Sequence, residues 1–238
     1  MSEIIKNQKY KVINKLGQGA FGSAYKVLNK DDNKYYLIKE LFLNSDIGDE
    51  KKKIKDEAEI LSKLNSENIV KYYDSFEENG SFNIVMEYCD GFDLRKFINE
   101  HKEKNDKIKE KMIYNIILEL CYGIKEIHKN NLIHRDLKPE NIFLTSNMNI
   151  KIGDFGITKK LKDVNDYAKT QVGTYLYMAP EIIKGEKYNT KVDIWALGCI
   201  IHELCTLNYC FNGSSLSALM NRILECKYEK IDSKNYGL

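Results

Sequence analysis

Near residue 90 the hydrophobic pattern of this chain changes period, and the change divides any fold it can adopt into two unlike halves. From Tyr10 to Leu41, residues rich in Val, Ile and Tyr alternate along the chain, broken by turn signals at Gly17-Gln18-Gly19 and between Asn29 and Asn33. That alternation predicts β-strands. Two more strands are expected at Ile69 to Glu77 and Ser81 to Tyr88, joined by Glu78-Asn79-Gly80, where Asn-Gly is a strong hairpin signal. One helix is expected in this half, over residues 48–64, because Ile54, Ala58, Leu61 and Leu64 keep the spacing of a single helical face. Beyond Asp90 helical spacing takes over, at Leu94 to His101, Ile108 to His128 and Val192 to Leu207. Short strands recur only at Ile142 to Leu144 and Ile150 to Ile152. The expected fold is therefore α+β: a small β-rich lobe with one main helix, then a larger and mostly helical lobe. A ligand is expected in the cleft between them.

Composition narrows the classes. With 238 residues and 43% hydrophobic content the chain can bury a core. Its 37 Lys and Arg against 35 Asp and Glu leave a net charge of +2, which disfavours a nucleic-acid binder. The longest apolar run, Ile194 to Ile201, is far too short to span a bilayer, and the amino-terminal MSEIIKNQKY lacks the apolar stretch of a secretory signal. Six cysteines without a C-x-x-C pair suggest a reducing compartment, the cytoplasm or the nucleus; the expected location is cytoplasmic, with nuclear or cytoskeleton-associated as alternatives. Only Pro139 and Pro180 occur as prolines, and no repeat or low-complexity linker marks a lobe boundary.

Residues 17–22, Gly17-Gln18-Gly19-Ala20-Phe21-Gly22, fit G-x-G-x-x-G, a pattern shared with dinucleotide-binding folds. There the glycines open a helix, whereas here Ser23 to Leu28 keeps strand character, so the glycines sit on a β-hairpin. Glycine lets backbone N–H groups approach phosphate oxygens without a Cβ in the way. A plain hairpin turn is the bland alternative. Lys39 shares a strand face with Leu37 and Leu41. An inward ammonium needs a carboxylate or a ligand phosphate, and Glu57, one position before the inward Ala58, is the expected partner.

Residues 134–141 read HRDLKPEN. Asp136 is a carboxylate able to take a proton or orient a hydroxyl, Lys138 is a cation two residues on, and Asn141 offers a carbonyl oxygen. Asp154 follows in KIGDFG after a short apolar strand. Mg²⁺ prefers one or two oxygen ligands from protein together with substrate phosphates, which suits Asn141 and Asp154. Asp136 suits a base, and Lys138 suits charge neutralisation on a migrating phosphoryl group. A polar turn between a helix and a hairpin would not explain two aspartates, a lysine and an asparagine flanked by apolar strands.

Taken in order, GQGAFG, Lys39 in YLIK, Glu57, HRDLKPEN, DFG and MAPE resemble the signature set of eukaryotic protein kinases over about residues 10–230. The resemblance implies a bilobal kinase domain with an N-lobe at 1–86, a hinge at 87–93 and a C-lobe at 94–238. It implies that Gly17, Gly19 and Gly22 cover the ATP phosphates and that Lys39, paired to Glu57, holds the α- and β-phosphates. Asp136 is implied as catalytic base, Lys138 as a γ-phosphate contact, and Asn141 and Asp154 as ligands of Mg²⁺, with Mn²⁺ as a substitute. For the adenine it implies Met86 as gatekeeper, Glu87 to Cys89 as hinge, and Ala24 and Phe143 as roof and floor, with Asp93 on the ribose. The implied reaction is transfer of a phosphoryl group from ATP to serine or threonine hydroxyls of protein substrates, a preference carried by Lys138 and Thr174. No nucleic-acid or membrane partner is implied.

The stretches SFNIVMEYCDGFDL, IGDFGI, AKTQVGT and ELCTLNYCF are most similar to the NIMA-related kinases. That likeness implies Thr170 as an activating phosphosite with Arg135 receiving its phosphate. Departures from the family pattern include Leu37 for a small residue, Phe92 for glycine and Tyr175 for proline, the last expected to soften the substrate-facing loop. The family's last C-lobe helices are expected to be missing, leaving Glu181 without its usual arginine. A nucleotide-binding scaffold without phosphotransfer is thus the competing expectation. Zinc on Cys199, His202 and Cys205 is a weaker one, since a core role explains the cysteines better. The charged stretches 50–55 and 101–111 are expected to be solvated.

Overall fold

A computed structural model describes residues 5–19, 22–42, 58–59, 61–154 and 172–232. It divides into two compact units, one running to Cys89 and one from Asp90 onward.

In the first unit, β1 (Ile5–Lys6), β2 (Tyr10–Gly19), β3 (Gly22–Asn29), β4 (Tyr35–Phe42), β5 (Tyr72–Glu78) and β6 (Ser81–Glu87) form an antiparallel sheet in the order β1-β2-β3-β4-β6-β5. Its turns follow the local chemistry. Asn33 (φ 56°), Asn79 (φ 50°) and Gly80 (φ 74°) occupy the left-handed region that hairpin turns require. Alternation along β4 sends Tyr36 and Ile38 to one face, where they pack with Tyr10, Val27 and Val85. Leu37, Lys39 and Leu41 take the other face. The fifth strand starts at Tyr72 rather than at the expected Ile69, and its pairing shifts register between Tyr72 and Asp74. Of the helix expected over 48–64, residues 58, 59, 61 and 62 are helical, Lys63 and Leu64 have already left the helix, and 48–57 and 60, Glu57 included, lie outside the described residues.

Strand β1 was not legible in the sequence, since two residues show no alternation. It pairs with β2, Ile5 opposite Lys11 and Lys6 opposite Tyr10, and a buried side chain anchors it. Lys6 is buried, with Nζ 2.6 Å from Glu40 Oε1, 3.3 Å from Asn83 Oδ1 and 4.9 Å from the Tyr25 ring centroid. A buried ammonium persists only when so partnered.

The second unit comprises α1 (Leu94–Glu103), α2 (Glu110–Lys129), β7 (Ile142–Leu144), β8 (Ile150–Ile152), α3 (Pro180–Ile183), α4 (Lys191–Thr206) and α5 (Leu216–Leu224). Among the described residues two 3₁₀ segments, Pro139–Asn141 and Val172–Tyr177, interrupt it. The inward stripe of α2 is Ile113, Ile116, Leu120, Ile124 and Ile127, each fully buried side chain contributing about 1.5–3 kcal/mol. Helix α4 is buried on most sides, including Val192, Ala196, Leu197, Cys199, Ile200 and Leu204. It ends at Leu207, whose φ of 56° turns the chain out of the helix while its N–H still reaches Glu203 O. The stretch 101–111 is not wholly solvated. Ile108 lies ahead of α2 rather than within it and is 1% exposed, and the His101 ring packs edge-on against Phe97. Its lysines stay in water while one isoleucine anchors the link.

Candidate active site

Helix α4 organises the loop that carries HRDLKPEN. Asp193, in its first turn, is 1% exposed, and a carboxylate there is favoured by the helix dipole. Its Oδ1 accepts the Arg135 N–H (2.9 Å), and its Oδ2 accepts the His134 N–H (2.9 Å) and His128 Nε2–H (2.8 Å). Caught at two successive N–H groups, the chain turns sharply and Arg135 takes φ 69°, a conformation uncommon for residues other than glycine. The Arg135 guanidinium lies over the Tyr188 ring, 5.4 Å from its centroid.

His134 is a second anchor. Its Nδ1 accepts the Asp136 N–H (3.3 Å) and its Nε2–H donates to Gly153 O (3.0 Å). Those contacts select the neutral ring protonated at Nε2, and burial holds its titration below the ordinary 6.5. The Gly153 N–H donates to the backbone carbonyl of Asn141 (2.9 Å), so the loop and the residue preceding Asp154 are joined twice, once through the His134 ring and once backbone to backbone. Asp154 has φ 53°.

Asp136 sits at the centre. Asn141 Nδ2 donates to both its backbone carbonyl (2.8 Å) and its Oδ2 (3.0 Å), and Lys138 Nζ lies 3.1 Å from the same Oδ2. Pro139 opens the 3₁₀ turn that brings Asn141 back, closed by Asn141 N–H to Lys138 O. A carboxylate with one oxygen held this way can accept a substrate hydroxyl on the other. With Nδ2 committed to Asp136, Asn141 offers its Oδ1, and Asp154 offers a carboxylate. These hard oxygen donors fit Mg²⁺. Among the described residues no group of three His, Cys, Asp or Glu could hold a metal. His202 is no zinc ligand either: Nε2 bonds Glu229 O (2.7 Å) and Nδ1 lies 3.3 Å from Thr206 Oγ1. Cys199 is a core residue.

Asp93 caps α1, its Oδ1 accepting the Lys96 N–H (2.8 Å), and its backbone bridges Phe143 on β7. Leu144 N–H donates to Phe92 O (2.8 Å). Just before, Gly91 runs so close to β7 that a Cβ would meet Leu144 O at 2.2 Å.

In the first unit, Gly17 pairs with Ala24 and Gly19 with Gly22 across the β2–β3 hairpin, while Ala20 and Phe21 at its tip lie outside the described residues. The glycines differ in kind. A Cβ on Gly22 would sit 1.8 Å from Glu40 O, so packing against β4 requires glycine there. At Gly17 and Gly19 a Cβ would meet nothing within 4 Å. Packing within the described residues does not account for those two. Lys39 lies between Ala24 and Ile84 in the sheet register, and Leu37 pairs with Met86. Glu87 closes β6 by donating its N–H to Lys71 O (2.8 Å), with Cys89 two residues on. Thr170 lies outside the described residues; Thr174 falls in the 3₁₀ segment Val172–Tyr177, in which Tyr175 is buried.

Sequence reasoning missed one cluster altogether. Arg95 on α1 donates to Glu140 Oε1 through Nε (2.8 Å), to Glu203 through Nη1, and to the Tyr177 hydroxyl through Nη2; that hydroxyl donates to Glu203. Burial opposes the Arg95 charge, but the hydrogen bond and charge of Glu203 outweigh it and raise its pKa. Burial, reinforced by Glu203, also lifts the Tyr177 hydroxyl above the phenol range. Glu203 inside the apolar IIHELC run was the available signal, since a buried charge demands a partner.

The family model described as protein kinase domain matches residues 10–236. Curated relatives include the serine/threonine-protein kinase Nek5 of Homo sapiens, 43% identical over 224 residues, which cover 94% of this chain and 31% of that protein. Nek1 of Mus musculus is 38% identical over 224 residues (94% and 18%), and Nek2 of Homo sapiens 37% identical over 231 residues (94% and 52%). The chain thus spans between about a fifth and about half the length of these relatives.

Proposed function

From the premise that this chain belongs to the protein kinase family, we propose that it transfers the γ-phosphoryl group of ATP to serine or threonine hydroxyls of protein substrates. The observation that carries this reading is Asp136. Its carboxylate is fixed by Asn141 and Lys138, on a loop whose backbone is fixed by Asp193. Such preorganisation is how an enzyme positions a base without spending reorganisation energy during reaction.

In the proposed reaction the acceptor hydroxyl donates to the Asp136 carboxylate. Its oxygen attacks the γ-phosphorus, the bond to the β-phosphate oxygen breaks, and the proton passes to Asp136, leaving ADP. Phosphoryl transfer needs charge compensation more than covalent help, and Lys138 supplies a cation beside the base. Asn141 and Asp154 would hold Mg²⁺, which when bound would neutralise charge on the phosphate oxygens. Lys39, with Glu57 as its partner, holds the α- and β-phosphates under the glycines of the β2–β3 hairpin. Ala24, Met86, Glu87, Cys89 and Phe143 line the adenine and Asp93 reaches the ribose. That no packing among the described residues calls for glycine at 17 and 19 supports the phosphate-covering role. Phosphorylation of Thr170, read by Arg135, is the proposed activating step.

A radiolabel transfer assay on a generic basic protein tests this. Transfer by wild type that falls by at least about 10²-fold in Asp136→Asn supports the base. No transfer by either chain, with ATP still raising the melting temperature, would make the protein a nucleotide-binding scaffold.

A further inference from the structure

Glu140, Glu203 and the Tyr177 hydroxyl converge on one guanidinium, and that guanidinium comes from the chain itself. The three acceptors come from three elements: the 3₁₀ turn of the loop bearing Asp136, helix α4, and the 3₁₀ segment Val172–Tyr177. Glu203 is 2% exposed, so its charge depends on the partner it has. Glu140 is different: 43% of its side chain stays in contact with solvent while one oxygen holds Arg95. Four peptide units separate Glu140 from Asp136, which bounds their Cα separation at about 14 Å. A peptide delivering a hydroxyl to Asp136 therefore carries neighbouring side chains within reach of this receptor. Its geometry suits a guanidinium, with bidentate and charge-assisted contacts.

We propose that Arg95 is a specificity-determining residue, an internal arginine filling an acidic receptor beside the catalytic loop that would otherwise recruit an arginine of the substrate. The inference rests on the kinase reading for the word substrate, but the receptor itself is a matter of binding. With Arg95 in place, two carboxylates face one cation and the exposed Glu140 is largely neutralised. Removing the guanidinium leaves a vacant acidic site with a tyrosine hydroxyl at its base.

Fluorescein-labelled peptides with a single serine in an alanine background test this, with arginine or uncharged norleucine walked across the four positions on either side. Binding is read by anisotropy on the full chain. Arg95→Ala, checked for folding by its melting curve, is expected to bind one arginine peptide about tenfold tighter than wild type does, the size one charge-assisted contact gives. Norleucine peptides should be unchanged, and adding Glu140→Gln should erase the gain. A folded Arg95→Ala with wild-type preferences overturns the proposal. If Arg95→Ala fails to fold, Glu140→Gln alone decides: freeing the Arg95 Nε edge is expected to favour a peptide with glutamate at the same position by about threefold or more, and no change overturns the proposal. Radiolabel transfer run in parallel separates the two readings. The binding pattern without transfer in wild type retains the receptor and removes the kinase; transfer with an unaltered pattern does the reverse.

Discussion

Asn141 Nδ2 donates to Asp136 twice, once to the backbone carbonyl at 2.8 Å and once to the carboxylate at 3.0 Å. One amide group thereby sets both the path of the loop and the orientation of the proposed base. Asn141→Ala removes both donors and the proposed oxygen ligand together. The expected result is a fall in kcat on the order of 10²-fold, with a higher Mg²⁺ concentration needed for half-maximal rate. Steady-state transfer assays over a magnesium series check this; an unchanged magnesium dependence would remove Asn141 from the metal site.

Asp193 should matter more to stability than its distance from chemistry suggests. Asp193→Ala leaves the N–H groups of His134 and Arg135 unpaired in a buried site, and each orphaned donor costs ~1–3 kcal/mol. For a chain of this size each kcal/mol lowers the melting temperature by about 2–4 °C, so a drop of roughly 10 °C is expected by differential scanning fluorimetry.

The glycines of the β2–β3 hairpin separate packing from function. Gly22→Ala forces a methyl into Glu40 O and should destabilise the fold by ~1–3 kcal/mol. Among the described residues a methyl at Gly19 meets nothing within 4 Å, so the melting curve of Gly19→Ala should match wild type while the KM for ATP rises roughly tenfold, because the added Cβ holds a phosphate oxygen away from one backbone N–H. Equal KM values for Gly19→Ala and wild type would argue that this hairpin does not touch the nucleotide.

His134 predicts a pH dependence with a definite sign. Its folded-state value lies below the ordinary 6.5, so below that pH the unfolded chain binds a proton that the folded chain refuses. Stability from this group is complete above pH 6.5 and is lost as pH falls beneath it, at up to about 1.4 kcal/mol per pH unit. Protonation would also place a hydrogen on Nδ1, where the Asp136 N–H now donates. Urea melts of wild type and His134→Gln at pH 7.5 and 5.5 check this: the wild type should lose more stability than the variant across that interval. Parallel losses would mean that other groups carry the acid sensitivity.

Much of the fold and of the proposed site is legible in the sequence. The Asn79-Gly80 hairpin, the β2–β3 glycines, α2 and α4 all lie where period and turn chemistry put them. Asp136, Lys138 and Asn141 do come together, because they share one short loop. Harder to read were β1, the buried Ile108 in a charged stretch, and the Arg95 cluster, each depending on what lies across from it.

Period, turn conformation and motif spacing are properties of neighbours along the chain, so the sequence by itself determined the two unlike halves, the family, and the residue types at the proposed catalytic loop. Only the tertiary structure decided which charges meet: Lys6 with Glu40, Asp193 with the backbone of His134 and Arg135, Arg95 with Glu140 and Glu203. No local rule selects those pairs from 37 cationic and 35 acidic side chains. The selection is made by burial, which penalises every charge that the fold does not bring to a partner.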